Sequence, residues 1–222
     1  MSDTVCVIPA YNVEATLGAV AAGVRAALGA ITIVAVDDGS SDRTRLVAER
    51  TCDRVIGFAG NRGKGAALRA GFAAALDLGA RAILTIDADG QHEPGRAASL
   101  LDALATADVV IGVRARDRGM PLHRRMSNAL SSRAISACAG CPLPDTQSGY
   151  RAMRGGVVRD VRPAGDRYEF ETEFLILAGQ AGYRIAAVPV PTIYGAPSHF
   201  RELRDSARVM RSIWRHRAGA AH

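Results

Sequence analysis

Long apolar runs and paired cysteines are missing from this sequence of 222 residues. No stretch approaches the roughly 18 apolar residues of a membrane-spanning helix, and the acidic start Met1-Ser2-Asp3 does not resemble a signal peptide. Only Cys138 and Cys141 have the spacing of a metal or redox pair, and no second pair follows at finger-like spacing. We therefore expect a cytoplasmic protein whose cysteines are small buried hydrophobic residues. The chain is long enough to form a hydrophobic core that needs no disulfide bonds or structural metal ions.

Lysine is almost absent. Of the 28 basic residues, all but Lys64 are arginine. The single lysine lies between Gly63 and Gly65, in a loop that opens a predicted helix. A compact ammonium group can bind an anion in a tight loop where a planar guanidinium would not fit. The N-terminus of a helix also favours anions. Lys64 is therefore a candidate phosphate-binding residue.

Four familiar site motifs are also missing. Gly63-Lys64-Gly65 lacks the Ser or Thr of a Walker loop, and the first strand is followed by residues 9–12, which contain no glycine of a dinucleotide fingerprint. A calcium loop starting at Asp87 would need glycine at His92 and glutamate at Ala98. The Gly-x-Ser-x-Gly elbow of α/β hydrolases does not occur.

Strand and helix patterns alternate along the chain with short connections. Predicted strands cover residues 4–9, 31–36, 54–58, 83–86, 107–112 and 184–190, and predicted helices cover 13–28, the stretch after residue 42, 66–78, 94–106 and 126–139. This alternation is typical of an α/β fold with a mainly parallel sheet and helices on both faces. We predict one domain over residues 1–199, followed by a basic amphipathic helix over residues 200–222.

Polar residues follow the predicted strands directly. Asp87, Asp89 and Gln91 come after the buried run 83–86, and Asp37 and Asp38 end the second strand. Ligands of parallel sheets bind beyond the carboxyl ends of the strands, and carboxylate and amide oxygens suit Mg²⁺ or Mn²⁺. An ordinary Asp-Gly turn leaving a buried strand would explain residues 87–91 equally well when they are taken alone. Together with Lys64, these parts suit a metal-bound nucleoside diphosphate.

Six motifs make this hypothesis specific. They are Val-Ile-Pro-Ala-Tyr-Asn-Val-Glu (7–14), Val-Asp-Asp-Gly-Ser-Ser-Asp-Arg-Thr (36–44), Asn-Arg-Gly-Lys-Gly-Ala-Ala-Leu-Arg-Ala-Gly (61–71), Asp-Ala-Asp-Gly-Gln-His (87–92), Asp-Thr-Gln-Ser-Gly-Tyr-Arg (145–151) and Glu-Thr-Glu-Phe (171–174). Their order resembles glycosyltransferase family 2, and most of all its dolichyl- and polyprenyl-phosphate sugar transferases. The match covers roughly residues 4–195.

The resemblance implies a GT-A fold, which is Rossmann-like, and inverting, metal-dependent transfer from a nucleotide sugar of the GDP-mannose or UDP-glucose type. It implies a nucleotide pocket lined by Pro9, Ala10, Tyr11, Glu14 and Asp37 or Asp38. It implies Mg²⁺ or Mn²⁺ on Asp89 and Gln91 with Asp87 nearby, and Lys64 close to the nucleotide or its phosphates. Arg114, Arg125 and Ser127 would face the diphosphate or an acceptor phosphate, and Asp145 and Gln147 would lie near the acceptor. We take Asp89, Asp145 and Arg125 as the catalytic candidates.

The kind of acceptor decides the mechanism. A sugar hydroxyl needs a general base, for which Asp145 is the candidate, whereas a lipid phosphate is already anionic and needs arginines for positioning. The arginine-rich residues 113–125 favour a polyprenyl phosphate. A glycosyltransferase with a non-lipid hydroxyl acceptor, a sugar-phosphate nucleotidyltransferase and a non-catalytic nucleotide-binding module remain as alternatives; nucleic acid is not an expected partner.

The C-terminal stretch carries most of the net charge of +6. Residues 201–217 contain six arginines against Glu202 and Asp205, and apolar residues recur among them at helical spacing. Two interpretations are equally compatible with this pattern. Residues 200–217 form either an interfacial helix for peripheral contact with an anionic membrane or a terminal helix that packs on the domain with a solvated basic face.

Overall fold

The computed structural model describes residues 3–114, 132–143, 145–146 and 148–191. The predictions for Arg125, Ser127, Gln147 and the segment 200–222 lie outside these ranges, as does the prediction for the side chain of Arg114. The strands are β1 (Thr4–Ala10), β2 (Thr32–Asp37), β3 (Arg54–Gly57), β4 (Ala82–Thr85), β5 (Val109–Arg114), β6 (Arg151–Arg154) and β7 (Ile185–Val190). The helices are α1 (Leu17–Leu28), α2 (Thr44–Thr51), α3 (Lys64–Asp77), α4 (Ala97–Asp102), α5 (residues 132–139), α6 (Gly155–Asp160) and α7 (Glu169–Gln180).

These seven strands form one sheet in the order β3-β2-β1-β4-β6-β5-β7. All neighbouring pairs are parallel except those of β6, which runs antiparallel to both β4 and β5. Thr85 at the end of β4 therefore lies opposite Arg151 at the start of β6. This reversal brings the turn before β6 to the same edge of the sheet as the carboxyl ends of β1, β2 and β4.

Alternate residues of the central strands enter two separate cores. Val5 and Val7 of β1 pack with residues of α3, α6 and α7 on one face, while Cys6 and Ile8 pack with residues of α1 and α4 on the other. The same alternation continues along β2, as the two-residue period of a strand requires. Burying each large aliphatic side chain contributes roughly 1.5–3 kcal/mol. The predicted mainly parallel sheet with helices on both faces is confirmed.

Two predicted helices have different bounds. Helix α1 begins at Leu17 rather than at Val13, whose N–H instead binds Thr44 Oγ1 at 2.7 Å. The helix predicted over residues 94–106 is broken into a 3₁₀ turn (Pro94–Arg96), α4 and a second 3₁₀ turn (Ala103–Ala105). Proline and glycine at its start disfavour a regular α-helix, and 3₁₀ turns are common at helix ends.

Within the described ranges, no helix is both long enough and apolar enough to cross a bilayer.

Candidate active site

The first corner of the site joins the ends of β1 and β2. Asn12 adopts a left-handed backbone conformation (φ 51°), and its side-chain oxygen accepts the N–H of Ser41 at 2.9 Å while its own N–H binds Ser40 Oγ at 3.0 Å. Asparagine tolerates this conformation better than most residues. The turn after β1 is thereby fixed to the Asp-Asp-Gly-Ser loop, which the sequence placed in the same nucleotide pocket.

Other predicted pocket residues lie around this corner. Pro9 and Ala10 end β1, and Tyr11 directly after them has 37% of its surface exposed. The carboxylate of Glu14 accepts the backbone N–H of Arg43 at 2.8 Å and forms a salt bridge with its guanidinium at 3.2 Å. The Arg43 backbone N–H, followed by its side chain, lowers the pKa of Glu14. The structure therefore brings an exposed ring and an ionised carboxylate to the end of β1.

Asp37 and Asp38 are both buried at the end of β2 but have different partners. Asp37 Oδ1 accepts the N–H of Ser40 at 3.1 Å, within its own turn. Both oxygens of Asp38 bind the loop before α3. The N–H groups of Arg62 and Gly63 donate to it at 2.6 and 2.9 Å, and Asn61 Nδ2 donates at 2.9 Å.

Asp38 therefore determines the shape of the loop that presents Lys64. Gly39 has φ +69°, and a side chain on it would overlap the backbone of Gly60, so that the two turns touch directly. Burial raises the pKa of Asp38, although the N–H groups of Arg62 and Gly63 oppose this rise. The carboxylate is held mainly by neutral donors.

Lys64 is the first residue of α3 and lies between two carboxylates. Its ammonium nitrogen is 2.7 Å from Asp87 Oδ1 and 2.8 Å from Glu171 Oε2. Burial works against a charged lysine, but the charges of Asp87 and Glu171 outweigh it and raise the pKa of Lys64 above its usual range. Burial likewise works against an ionised Asp87, yet the nearby Lys64 lowers the pKa of that carboxyl. Lys64 and Asp87 are therefore both ionised at neutral pH.

Asp89 is in a different electrostatic position from Asp87. Its Oδ1 accepts the N–H of Gln91 at 2.9 Å, which is the local turn expected after a strand. Burial, followed by the charge of Asp87, raises the pKa of Asp89. Among the described residues, Asp87 has Lys64 as an ion-pair partner and Asp89 has none. The acidic pair at the end of β4 thus retains uncompensated negative charge.

These donors fit a divalent cation that is shared with a substrate. Within the described part of the chain, no group of three or more Asp, Glu, His or Cys side chains could hold a metal ion by itself. Mg²⁺ is commonly bound by one or two carboxylates together with substrate phosphates and water, and Mn²⁺ accepts the same oxygen ligands. Asp87 and Asp89 supply two such carboxylates, and their mutual repulsion would be relieved by a bound cation.

The turn before β6 packs directly on Asp87. A side chain on Gly149 would overlap the Asp87 carboxylate, and Thr85 Oγ1 donates to the carbonyl of Gly149 at 2.9 Å. Only glycine permits this close approach. Asp145, the base candidate, is half-buried in the same turn. The structure thus brings the predicted acceptor turn to the predicted metal motif, while the backbone of Arg114 ends β5 two strands away.

Two buried charged residues of this site had no role in the sequence-based prediction. Glu171 and Arg151 are 5% and 3% exposed, and both contact the residues described above. Both belong to motifs quoted from the sequence. The only available signal was the position of Glu171 between Phe170 and the apolar run 174–178, because a charge that becomes buried there requires a partner. This pattern does not identify the partner.

Comparison with known proteins gives a consistent assignment. The glycosyl transferase family 2 profile matches residues 5–162. The undecaprenyl-phosphate mannosyltransferase of Micrococcus luteus is 31% identical over 196 residues, which cover 83% of this chain and 81% of that protein. The dolichyl-phosphate hexose transferase of Haloferax volcanii is 32% identical over 193 residues, which cover 85% of this chain and 82% of that protein.

A solved structure is also similar. It is glucosyl-3-phosphoglycerate synthase from Mycobacterium tuberculosis in complex with Mn²⁺, uridine diphosphate and glucosyl-3-phosphoglycerate, at a TM-score of 0.74 and 21% identity, covering 96% of this chain and 79% of that one. This likeness confirms the predicted GT-A fold. The profile match and the two relatives go further, because they show that the chain is a glycosyltransferase and belongs to glycosyl transferase family 2.

Proposed function

We propose that this glycosyltransferase moves a hexose from a nucleotide sugar to a polyprenyl phosphate, with inversion at the anomeric carbon and with Mg²⁺ or Mn²⁺ on the donor. The observation that carries the proposal is the joint placement of Lys64, Asp87 and Asp89 against the turn that contains Asp145. The residues that would bind the diphosphate and the turn that would face the acceptor thereby lie together at the same end of the sheet. The names of the two curated relatives support a lipid phosphate as the acceptor.

The nucleotide binds at the corner between β1 and β2. Tyr11 offers an exposed ring and Glu14 an ionised carboxylate at the end of β1, next to Pro9 and Ala10. Of the two neighbouring aspartates we assign Asp37 to the base or ribose. Both oxygens of Asp38 already accept hydrogen bonds from residues 61–63, so Asp38 acts on the nucleotide by shaping the Lys64 loop.

The donor diphosphate lies between Lys64 and the end of β4. Asp89 and Gln91 hold the cation there, with Asp87 beside them, and the Lys64 ammonium adds a second positive group. When bound, the cation neutralises the charge that develops on the diphosphate leaving group. The uridine diphosphate and Mn²⁺ in the solved structure of the mycobacterial synthase support this arrangement.

The acceptor is already a nucleophile at neutral pH. The second pKa of a phosphate monoester is about 6, so no general base has to remove a proton. A phosphate oxygen attacks the anomeric carbon from the face opposite the diphosphate. One C–O bond forms there as the C–O bond to the diphosphate breaks, which inverts the centre.

The acceptor-side residues position the phosphate rather than activate it. We assign Arg114, Arg125 and Ser127 to binding the acceptor phosphate, with Gln147 and Asp145 near the acceptor. Guanidinium groups bind phosphate oxygens in a bidentate manner, which fixes the angle of attack. With a hydroxyl acceptor, Asp145 would instead be the base.

The basic segment 200–217 brings the enzyme to the cytoplasmic surface of the membrane, where a lipid phosphate is accessible. Its excess of arginine over acidic residues supports attraction to anionic lipids. Co-sedimentation with vesicles that contain anionic lipid tests this step. Binding that is unchanged after deletion of residues 200–222 would contradict it.

A donor and acceptor panel tests the whole proposal. The purified chain is incubated with GDP- and UDP-sugars, with a polyprenyl phosphate or a free sugar as acceptor, and with Mn²⁺ or a chelator. We expect transfer to the polyprenyl phosphate only, dependence on the cation, and inverted product by NMR. Transfer to the free sugar alone would move the assignment to a hydroxyl acceptor.

Asp89→Ala is the matched inactive variant for this panel. It should lower metal-dependent transfer at least about 100-fold, which corresponds to about 2.7 kcal/mol of transition-state stabilisation. Its thermal unfolding should stay close to that of the unmodified chain, because Asp89 makes no salt bridge with the described residues that the substitution could break. Unchanged turnover in Asp89→Ala would reject the mechanism.

A further inference from the structure

Glu171 is a buried charge that the proposed mechanism does not use. Its two carboxylate oxygens face two different cations. Oε2 is 2.8 Å from the Lys64 ammonium, and Oε1 is 3.9 Å from Arg151 Nη2. The backbone carbonyl of Glu171 also accepts Arg151 Nη1 at 2.9 Å. One residue of α7 therefore contacts both the lysine of the donor side and the first residue of β6.

The other donors of Arg151 hold the acceptor turn. Its Nε donates to the carbonyl of Ser148 at 2.8 Å, and its Nη2 donates to the carbonyl of Thr146 at 2.9 Å. The guanidinium thus fixes two backbone positions directly after Asp145. The planar fork of arginine suits this task, because several donors with fixed directions are satisfied at once.

The contacts form a continuous path across the site. The acceptor turn binds Arg151, which contacts Glu171, which binds Lys64, which binds Asp87 at the metal motif. Gly149 of the same turn packs on the Asp87 carboxylate and closes the path. A displacement at either end therefore has to disturb a buried ion pair.

The charges give Glu171 a second effect. Lys64 is shared between two carboxylates at nearly equal distances, so Asp87 receives only part of the compensation by the ammonium. Without the Glu171 charge, Lys64 would compensate Asp87 alone, and the acidic pair would attract a divalent cation less strongly. The electrostatic coupling is large because these side chains are mostly buried.

We propose that Glu171 is a positioning residue that shares the Lys64 ammonium with Asp87 next to the donor phosphates, and that holds the acceptor turn in register with them through Arg151. This inference rests on the proposed function, since it assigns Glu171 a role in that same site. Glu171 itself touches neither substrate. It acts through Lys64 and Arg151.

Helix α7 supplies a matched control. Glu173 is 4% exposed, against 5% for Glu171, and lies two residues further along the same helix. Its carboxylate accepts the N–H groups of Ala164 and Gly165 at 3.1 and 2.9 Å, and neither residue belongs to the path. Glu171→Gln and Glu173→Gln therefore remove equally buried charges, and only the first removes one from the path.

The test measures Mn²⁺ affinity in the presence of UDP or GDP by calorimetry, without turnover. Loss of a residue that orients metal ligands typically weakens binding on the order of tenfold or more. We expect that loss in Glu171→Gln and a change below about twofold in Glu173→Gln. Equal affinities in the two variants would overturn the inference, even if both unfold at lower temperature.

The single lysine of the chain provides a second readout. Lysine labelled at its ammonium group gives one side-chain NMR signal, that of Lys64. The signal should move in Glu171→Gln and stay in place in Glu173→Gln. If Glu171→Gln does not fold, Glu171→Asp is used instead, because it keeps the charge but withdraws it from Lys64 by one methylene group. An unmoved Lys64 signal in the folded Glu171 variant would overturn the inference.

Failure of the inference and failure of the proposed function are distinguishable. If the unmodified chain transfers sugar and the two glutamine variants behave alike, only the role of Glu171 is wrong. If the unmodified chain transfers nothing but binds Mn²⁺ with nucleotide, and only Glu171→Gln weakens that binding, the positioning role stands and the transfer reaction is wrong. If the unmodified chain binds no Mn²⁺ with either nucleotide, both are wrong.

Discussion

Two aspartates, at the ends of strands β2 and β4, are stabilised in opposite ways. Asp38, at the end of β2, accepts hydrogen bonds from two backbone N–H groups and one side-chain amide, all from residues 61–63. Asp87, just after β4, binds the ammonium group of Lys64 and packs against Gly149. Neutral donors from one loop satisfy the first carboxylate, and a charged group from another element satisfies the second.

The difference separates a structural carboxylate from an electrostatic one. Two of the three partners of Asp38 are backbone N–H groups, so a ligand cannot replace them without rebuilding the loop. The partner of Asp87 is the side-chain ammonium of Lys64, which a diphosphate can also attract. The structural corner, which consists of Asp38 and the loop of residues 61–63, therefore sets the geometry of the site. The electrostatic corner, which consists of Lys64, Asp87 and Glu171, sets its charge.

Lys64→Met tests the electrostatic corner and should have the largest effect on stability. The substitution keeps an unbranched side chain, shorter by one atom, but leaves Asp87 and Glu171 without their shared cation. Removing one partner of a buried ion pair typically costs about 3–5 kcal/mol, and we expect a loss of that size in the free energy of unfolding. Urea unfolding at pH 7 measures it.

The double variant Lys64→Met with Glu171→Gln is the control for this change. It removes one of the two stranded charges, so it should be more stable than Lys64→Met alone. Comparison with Glu171→Gln alone completes the double-mutant cycle, which reports the coupling of the two side chains. A loss below about 1 kcal/mol in Lys64→Met would contradict the idea that this corner depends on charge pairing.

Asp38→Asn tests the structural corner and should have a smaller effect. Each carboxylate oxygen now accepts one backbone N–H, from Arg62 and from Gly63. An asparagine presents an NH₂ group to one of them and leaves that donor unsatisfied. An unsatisfied buried donor costs about 1–3 kcal/mol, which urea unfolding measures.

Asp3→Asn is the control for Asp38→Asn, because the Asp3 side chain is 65% exposed and forms a surface salt bridge with Arg81. Its change should stay within about 0.5 kcal/mol. If Asp38→Asn were equally neutral, the loop of residues 61–63 would not depend on the carboxylate. The structural role that we assign to Asp38 would then be wrong.

The sheet could be predicted from sequence because its signals are local. The buried runs of β1, β2 and β4 are short and bounded by polar residues, and the alternation with helices indicates parallel strands. Strand β6 was not predicted beyond a polar turn entering a strand. Its reversed direction depends on how Arg151–Arg154 pairs with both β4 and β5, and no local pattern encodes such long-range pairing.

The site was predicted in part for the same reason. Asp87, Asp89 and Lys64 stand out because the first two follow a strand and the third is the single lysine. The partners could not be predicted, since Asp38 and Asp37 are adjacent in sequence yet bind different loops. The role of Glu171 could be recognised only from the fold, which places its Oε2 atom 2.8 Å from the Lys64 ammonium nitrogen.

The titration of the two aspartates compares the corners directly. Burial raises the pKa of Asp38, whereas Lys64 overcomes burial and lowers the pKa of Asp87. In the metal-free protein, carboxyl-carbon NMR should therefore show Asp38 protonating above the ordinary value of about 3.9 and Asp87 protonating below it. Asn variants at the two positions assign the signals.

The signs of the stability effects follow from these directions. Asp38 binds its proton at higher pH in the folded chain than in the unfolded one, so acidification through its folded pKa favours the fold. Asp87 contributes stability above its unfolded pKa, and that contribution is lost as pH falls through its lower folded pKa. If Asp87 took up its proton at a higher pH than Asp38, the assignment of Asp87 to the electrostatic corner and of Asp38 to the structural corner would be wrong.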